Sequence, residues 1–388
     1  MSDASWQGER PTLLQASATF YAGVSALMIG GIQPLVFGAF VAAGRIELAD
    51  LGRIATLESL GMAAGASAGA GLLRRIGTRR LGVAASLAIL VSSLAMARAD
   101  TAAALYGLRA GAGFAEGALL SLTIALIARA PAPERWSGTF LGIQTLTQSA
   151  GAWAVPAVLA PRLGANAGAA LLAAMAAIAC ATSPLGAQEP PLAPRSEAQH
   201  GGRVPTAAWI GLAFVGMALA SNNAIWSYFE RLGNARGLAP AVIGTAAAAC
   251  LVSQAIGSFA ATLVGPRLGW LAAAGVATLA LLSAAGALHA STGAPAFALA
   301  GVGFGFFWLF GMPYQVRGLV ELDPSRASAR LIASAQILGG SVGPLAASWL
   351  VRGGDLGGVL RFSAAATLAA FALAVSAAVW KRREQRRA

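Results

Sequence analysis

Glu58, Arg109 and Glu116 are charged residues in segments that are otherwise apolar and long enough to cross a bilayer. Arg109 and Glu116 stand seven residues apart. At 3.6 residues per turn, this spacing brings both side chains to nearly the same face of a helix. Charges are costly inside hydrocarbon, so each is expected to face protein or a water-filled cavity and is a candidate for function. The chemistry open to such residues is the binding and release of a proton.

Glu58 and Arg109 each lie about eight residues beyond the start of their segments, near Asp50 and Thr101, which is roughly 12 Å at 1.5 Å per residue. Equal depth predicts an ion pair, either a structural bridge that neutralises Arg109 or a proton site. Glu116 lies deeper, roughly 22 Å in, where the sequence offers no basic partner at the same level. It is therefore the first candidate for proton coupling, with a structural hydrogen bond to Ser or Thr as the alternative.

Polar and aromatic side chains in other apolar segments could line the path of a solute. The candidates for substrate binding are Asn222, Asn223, Trp226, Trp308, Tyr314, Gln33, Gln144 and Gln148. Packing or hydrogen bonding between helices is the alternative for each of them. Tyr228, Glu230 and Arg231 fall near the end of their segment, where an aromatic belt or polar rim at the membrane surface is the prediction.

The composition is that of a membrane protein. Apolar residues make up 57% of the chain and charged residues 11%, whereas soluble domains carry about 25% charged residues. The net charge of +12 could indicate nucleic acid, but the arginines fall at the ends of apolar segments, as in membrane proteins. Cys180 and Cys250 have no partner at ligand spacing, so neither a disulfide nor a metal is predicted. No nucleophile–base pair or nucleotide loop is found, so we expect neither an enzyme nor a cofactor.

Apolar segments separated by Pro, Gly or polar breaks predict an all-α protein with twelve spans. The predicted spans are 12–44, 50–73, 81–99, 102–128, 136–160, 166–184, 207–230, 240–264, 268–290, 295–318, 328–351 and 360–380. The first span is too long for a cleavable signal peptide and should stay in the membrane. Residues 185–206 are rich in Pro and Gly and predict a linker between domains 1–184 and 207–388.

The distribution of cationic residues predicts the orientation. Seventeen lysines and arginines, including the basic C-terminal tail, fall on the side of the termini and eight on the other side. The positive-inside rule therefore predicts that both termini are cytoplasmic.

Two short matches suggest that the halves of the chain are related. Arg75-Ile76-Gly77 corresponds to Arg267-Leu268-Gly269, and Gly151-x4-Pro156 corresponds loosely to Gly339-Gly340-x2-Gly343-Pro344. The two offsets are similar and the linker lies midway, which predicts a parallel duplication. Glycine repeats such as Gly61/Gly65/Gly69, Gly113/Gly117 and Gly301/Gly305 predict close helix packing.

With these features, the chain resembles the major facilitator superfamily over nearly its whole length. The loop after the second span resembles the gate loop of that family, through Gly71, Arg74, Arg75, Gly77, Arg79 and Arg80. It departs from the family pattern at Ala70, where a Gly is expected, and at Arg74, where the family has an Asp that helps latch the gate. Arg109 with Gly113 resembles an R-x-x-x-G motif tied to proton coupling, and Gly339–Pro344 resembles a G-x-x-x-G-P element of antiporters.

The resemblance implies two six-helix bundles, a path lined by helices 1, 4, 7 and 10, and secondary active transport. Together with the buried charges, it predicts a proton-coupled transporter in the inner membrane that moves a small amphiphilic or aromatic solute, with a slight preference for export. The expected partners are a small-molecule substrate, protons and the lipid bilayer, without nucleic acid, and the expected state is a monomer. Proton-coupled uptake of an organic anion is the alternative. A non-transporting assembly factor or sensor is the alternative of another class.

Overall fold

A computed structural model describes residues 6, 10–187, 204–325, 327–351 and 354–387, without the side chains of residues 70, 133, 134, 266, 329, 330 and 387. Every regular element in these ranges is helical. The long helices are α1 Leu13–Ala42, α2 Asp50–Ile76, α3 Thr78–Met96, α4 Ala102–Arg129, α5 Pro133–Ala154, α6 Ala167–Thr182, α7 Thr206–Ser227, α8 Pro240–Val264, α9 Trp270–Ala290, α10 Ala294–Leu322, α11 Ile332–Leu350 and α12 Gly357–Arg387. Most of the predicted linker lies outside the described residues.

Membrane-spanning character follows from the length and composition of these helices. In the described ranges, nine helical segments are long and apolar enough to cross a bilayer. The protein is therefore a multi-pass membrane protein, and the predicted total of twelve spans stays a prediction. In hydrocarbon the helices cannot associate by excluding water, so van der Waals packing and hydrogen bonds must hold them together.

Local sequence signals set the ends of the helices. Thr12 and Gln15 form a capping box at the start of α1, and Thr101 accepts a hydrogen bond from the backbone of Ala104 at the start of α4. Beyond the end of α5, residues Val155–Leu159 form a π-helical turn that contains Pro156. Proline removes a backbone donor and clashes with the preceding turn, which accounts for this departure from the α-helix.

The described residues divide into two compact units. The first comprises the residues up to Glu47 and those from Leu57 to the gap at 188–203. The second comprises Leu48–Thr56 and the residues after that gap. In the first unit a core of small and branched side chains joins α1, α3 and α4. In the second unit a core that includes Leu212, Trp270, Phe310 and Ala374 joins α7, α9, α10 and α12.

Backbone-to-backbone contact between α2 and α4 shapes the first unit. A Cβ atom at Gly113 would collide with the carbonyl oxygen of Glu58, and one at Gly61 would collide with the carbonyl oxygen of Ala110. The second unit repeats this arrangement between α8 and α10, where Gly257 lies against the carbonyl of Phe306. The predicted role of Gly61 and Gly113 in close helix packing is confirmed.

An arginine in the loop after the first helix of each unit binds the end of the third helix. Arg45 follows α1 and donates to the carbonyls of Met96 and Ala99, at 2.8 and 2.5 Å, at the end of α3. Arg236 follows α7 and donates to the carbonyl of His289, at 2.9 Å, near the end of α9. Helix C-termini leave carbonyls without intrahelical partners, and a guanidinium satisfies them.

Asp323 organises the turn that follows α10. Its carboxylate accepts hydrogen bonds from the Ser325 backbone at 3.1 Å, the Ser325 hydroxyl at 2.6 Å and the Ser328 backbone at 2.8 Å. Burial raises the pKa of this carboxyl, but the hydrogen bonds from Ser325 and Ser328 outweigh burial and hold the pKa below its ordinary value. The turn is therefore stabilised by the ionised form.

We predict that this stabilisation is lost in acid. Because the folded pKa lies below the unfolded value of about 4, the contribution is complete above that pH and declines as pH falls through the folded pKa. Asp323→Asn should lower the free energy of unfolding at pH 7 by about 1–3 kcal/mol. The further loss of stability below pH 4 should be smaller in this variant than in the unmodified protein. Thermal unfolding in detergent between pH 7 and 3 measures both effects. Asp100→Asn, at an exposed position, is the control, and equal acid sensitivity of Asp323→Asn and the unmodified protein would contradict the prediction.

Candidate functional site: a buried Glu–Arg–Glu triad

Three charged side chains meet between α2 and α4 in the first unit. Arg109 donates from Nε to Glu58 Oε2 at 3.1 Å, and its Nη2 lies 3.0 Å from Glu58 Oε1. The same Nη2 donates to Glu116 Oε1 at 2.8 Å. Arg109 therefore binds Glu58 through two nitrogens and shares one of them with Glu116. Two-point contact of this kind fixes the orientation of both planar groups.

The triad is isolated from solvent. The exposed fractions are 0% for Arg109, 2% for Glu116 and 4% for Glu58. Two carboxylates and one guanidinium carry a formal charge of −1 when all are ionised, and one added proton makes the group neutral. Counting about 1.5 Å per residue from Ala102, Arg109 lies a quarter of the way along α4 and Glu116 lies at its middle. The charge therefore lies well inside the segment that would cross the membrane.

Part of the hydrogen-bonding capacity of the triad is unused. Arg109 Nη1 and Glu116 Oε2 are buried and make no hydrogen bond within the described ranges. A buried charged group without its full set of partners is costly, so a water, a proton or a solute group that reached these atoms would be stabilised. The triad thus offers one donor and one acceptor beyond its internal bonds.

The predicted pairing of Glu58 with Arg109 agrees with the observed contact. The expectation that Glu116 has no basic partner is wrong, because Arg109 binds it. That expectation compared depths of backbone atoms along the helix axis. The guanidinium of Arg109 lies several bonds from its backbone, and side chains on a helix lean towards its N-terminus, which brings Glu116 back towards Arg109.

A second polar region lies in the interior of the second unit. A cavity of about 30 Å³ is lined by residues of α7, α9, α10 and α12. Its polar lining residues are Asn222, Thr278, Trp308, Gln315 and Thr367. None of the residues that line it is charged. A cavity of this size has room for a water or a small polar group.

Two polar atoms at this cavity lack partners. Trp308 Nε1 and Gln315 Oε1 are buried and make no hydrogen bond in the part of the chain that the structure describes. A donor and an acceptor are therefore both available to an occupant. Beside the cavity, Ser221 Oγ lies 2.7 Å from Thr367 Oγ1 and 2.6 Å from Ser363 Oγ, so the polar lining continues into a hydroxyl cluster.

Two of the residues predicted to bind substrate, Asn222 and Trp308, line this cavity together. Gln315 and Thr278 also line it and were missed by the sequence analysis. Gln315 stands seven residues after Trp308, so the periodicity that drew attention to Arg109 and Glu116 could have found it.

Other predicted substrate residues lie in contacts between helices. Gln148 donates to the carbonyl of Leu27 at 2.6 Å, which ties α5 to α1. Tyr314 donates to the carbonyl of Gly265 at 3.2 Å, close to the end of α8. Asn223 donates to the carbonyl of Leu219 at 3.1 Å, one turn earlier in its own helix.

The remaining predicted substrate residues occupy varied environments. Trp226 is buried, with its ring 5.6 Å from that of Phe229. Gln33 is partly buried in α1, and Gln144 Oε1 is buried without a hydrogen bond in the described ranges. A role in solute binding for these residues stays a prediction.

The interpretation of Tyr228, Glu230 and Arg231 as a surface belt or rim is wrong. Tyr228 is fully buried, and Glu230 and Arg231 are buried and paired with each other. The chain breaks after α7, and Phe229–Asn234 forms a separate short helix that contains Glu230 and Arg231. A count of residues from the end of one straight helix cannot anticipate this break.

The gate loop predicted after the second span is almost entirely helical, and only Gly77 lies between the two helices. Gly77 has a φ of 77°, a conformation that L side chains rarely adopt, and it separates the end of α2 from the start of α3. Arg74 and Arg75 lie in the last turn of α2 and Arg79 and Arg80 in the first turn of α3, all exposed, while Gly71 is half-buried in α2. Cations suit the negative end of the α2 dipole and oppose the positive end of α3.

The described residues contain no group of three or more His, Cys, Asp or Glu placed to hold a metal ion. Comparison with protein-family models finds no match, and neither does comparison with the sequences of curated proteins. Among solved structures, a mutant of the nucleoside transporter NupG is similar, with a TM-score of 0.73 and 14% sequence identity. The similarity covers 95% of this chain and 99% of that chain, so the two share their fold over almost their full length.

The triad makes a prediction about folding. Arg109→Met leaves two buried carboxylates without a cation, which should cost about 3–5 kcal/mol of stability. Adding Glu58→Gln and Glu116→Gln removes the stranded charge and should restore folding. The fraction of monodisperse protein and its thermal unfolding in detergent measure both effects.

Arg317→Met is the matched control, because Arg317 is half-exposed and pairs with the exposed Glu321, and pairs near the surface contribute about 0–1 kcal/mol. A single Arg109→Met variant as stable as the unmodified protein would contradict the triad. So would a triple variant that is less stable than the single one.

Proposed function

We propose that this protein is a proton-coupled secondary transporter of a small organic solute, which works by alternating access. The observation that carries the proposal is the buried triad of Glu58, Arg109 and Glu116, with a formal charge of −1. A charge at this depth is costly, and proteins retain such charges where protons or ions move. The triad changes between charged and neutral when it gains or loses one proton, which is the property that coupling requires.

The proposed cycle uses the shared guanidinium. When Arg109 holds both carboxylates, the triad is charged and should resist the rearrangement that exposes the other side of the membrane. A proton on Glu116 neutralises the group, and Glu58 continues to hold Arg109 through two contacts. The unused Glu116 Oε2 is the proposed acceptor of this proton. A cationic or polar group of the bound solute would release the proton by competing for the carboxylate of Glu116.

The proposed substrate is an amphiphilic or aromatic solute that is neutral or cationic. Arg109 is already bound by two carboxylates, so an organic anion would have to displace one of them and would meet a negative site. This favours export of drug-like compounds over anion uptake, which stays the second candidate. Asn222 and Trp308 are the proposed neutral contacts, with Gln33, Gln144, Gln148, Asn223, Trp226 and Tyr314 as further candidates.

Membership of the major facilitator superfamily is part of the proposal, with twelve spans in two bundles joined near 185–206. Three observations support it. The fold is shared with NupG, a nucleoside transporter by its description. Arg45 and Arg236 hold equivalent helix ends in the two units. Positive-φ glycines follow equivalent helices: Gly44 and Gly237 after α1 and α7, and Gly77 and Gly265 after α2 and α8.

Placement in an inner membrane, with both termini in the cytoplasm, remains the proposed topology. Its support is the bias of the cationic residues in the sequence. The exposed arginines around Gly77 belong to the side with more positive charge. A monomer is the proposed working unit.

The first functional prediction concerns Glu116. A thermal-shift screen with lipophilic cations, organic acids and uridine identifies a ligand, since a bound ligand stabilises the folded protein. In vesicles with purified protein, that ligand should drive proton movement, recorded with an internal pH dye. Glu116→Gln should reduce the movement to the level of empty vesicles, because the amide cannot release a proton, while the thermal shift persists.

Glu321→Gln, an exposed carboxylate near the end of α10, is the control and should leave proton movement unchanged. Unaltered proton movement in Glu116→Gln would remove Glu116 from the mechanism. If ligands stabilise the protein but neither ligand nor protons cross the membrane, the sensor or assembly factor is the better description.

The second functional prediction concerns the cavity in the second unit. The double substitution Trp308→Phe and Gln315→Leu removes one donor and one acceptor, each worth about 0.5–1.5 kcal/mol, and should weaken ligand binding roughly tenfold. The number of protons moved per ligand should not change, because the triad is intact. Trp209→Phe, at an exposed position on α7, is the control. Unchanged affinity with altered proton stoichiometry would contradict the separation of the two roles.

A further inference from the structure

The last helix is longer than a membrane crossing requires. Helix α12 contains 31 residues, or about 46 Å at 1.5 Å per residue, whereas the hydrocarbon core is about 30 Å thick. The apolar part ends at Val379, and the helix continues through Trp380 to Arg387. A tail that remains helical holds its charges at fixed spacing along the helix, in contrast to a flexible chain.

This helical end is strongly basic, and the cations whose side chains the structure describes are unpaired. Residues 381–387 contain five cations and one acid, Glu384. Glu384 accepts a hydrogen bond from Trp380 Nε1 at 2.9 Å, so its carboxylate is turned to the preceding helical turn. Within the described ranges, none of Lys381, Arg382 and Arg383 forms an ion pair, and neither does Arg386. Arg382, Arg383 and Arg386 are also exposed.

Trp380 fixes the height of these cations relative to the membrane. Trp380 is 43% exposed and directly follows the apolar part of α12. Tryptophan in this position favours the boundary between hydrocarbon and headgroups. The cations follow within about 10 Å along the axis, a distance comparable to the thickness of one headgroup layer. They are therefore held at the level of the lipid phosphates.

We propose that the end of α12 is a binding site for anionic phospholipid headgroups. Arginine offers a planar fork of donors that matches phosphate oxygens, and Arg382, Arg383 and Arg386 are exposed and free to use it. Clusters of four to eight cations next to a membrane-spanning helix have the charge and position to hold anionic lipids. The anchored position of the cluster favours lipid over a soluble polyanion. This proposal concerns a partner of the protein and does not depend on proton coupling.

Lipid titration of the purified full-length protein tests the site. Phosphatidylglycerol and phosphatidylcholine with identical acyl chains are added in detergent, and retained lipid is counted by native mass spectrometry. The unmodified protein should retain the anionic lipid in preference by about tenfold, and added salt should reduce that preference. The variant with Lys381, Arg382, Arg383 and Arg386 all changed to Gln should retain both lipids equally.

A charge-conserving variant separates charge from folding. With Arg382, Arg383 and Arg386 changed to Lys, most of the preference should remain. In vesicles of phosphatidylcholine alone, the Gln variant should move protons as the unmodified protein does, so failure here is distinct from failure of the transport proposal. Equal retention of both lipids by the unmodified protein would overturn the site, as would a preference that survives in the Gln variant. Displacement of the lipid by millimolar inorganic phosphate or by a short RNA would assign the cluster to a soluble anion and would also overturn it.

Discussion

One guanidinium shared by two carboxylates is the interaction on which the first unit depends. Arg109 can reach Glu58 and Glu116 together because α2 and α4 touch through their backbones, with Gly113 against the carbonyl of Glu58. A larger residue at Gly113 would separate the helices and pull Glu58 away from Arg109. Without that contact, hydrocarbon would surround charges that cost several kcal/mol each to bury. Close packing and charge compensation are therefore one requirement, met by the same pair of helices.

The second unit repeats this packing between α8 and α10. Gly257 of α8 lies against the carbonyl of Phe306 in α10, as Gly61 of α2 lies against that of Ala110 in α4. Its interior also holds an uncharged cavity with Trp308 and Gln315 at its wall. The first unit thus combines glycine packing with a buried charged triad, and the second combines it with an uncharged cavity. This difference is the basis of the proposal that proton coupling belongs to the first unit and recognition of neutral groups to the second.

Much of the fold could be predicted from the sequence because apolar length and Pro/Gly breaks are local signals. The Glu58–Arg109 pair could also be predicted, since counting residues places the two at equal depth on their helices. The partner of Glu116 was not, because it depends on the reach of two long side chains and not on backbone depth. The burial of Tyr228 was also missed: α7 ends at Ser227 without a proline or glycine at that point to signal the break. Orphaned atoms such as Gln315 Oε1 become visible only when all neighbouring helices are in place.

The proposed transport cycle requires that the triad hold one exchangeable proton. Infrared difference spectroscopy of purified protein, between alkaline and acidic pH, records the carboxyl C=O band that appears when a buried glutamate gains a proton. Comparison with the Arg109→Met, Glu58→Gln, Glu116→Gln triple variant cancels the contribution of all other carboxyls. If the triad holds one exchangeable proton, the unmodified protein gains one carboxyl more than the triple variant. Identical difference spectra for the two proteins would contradict it.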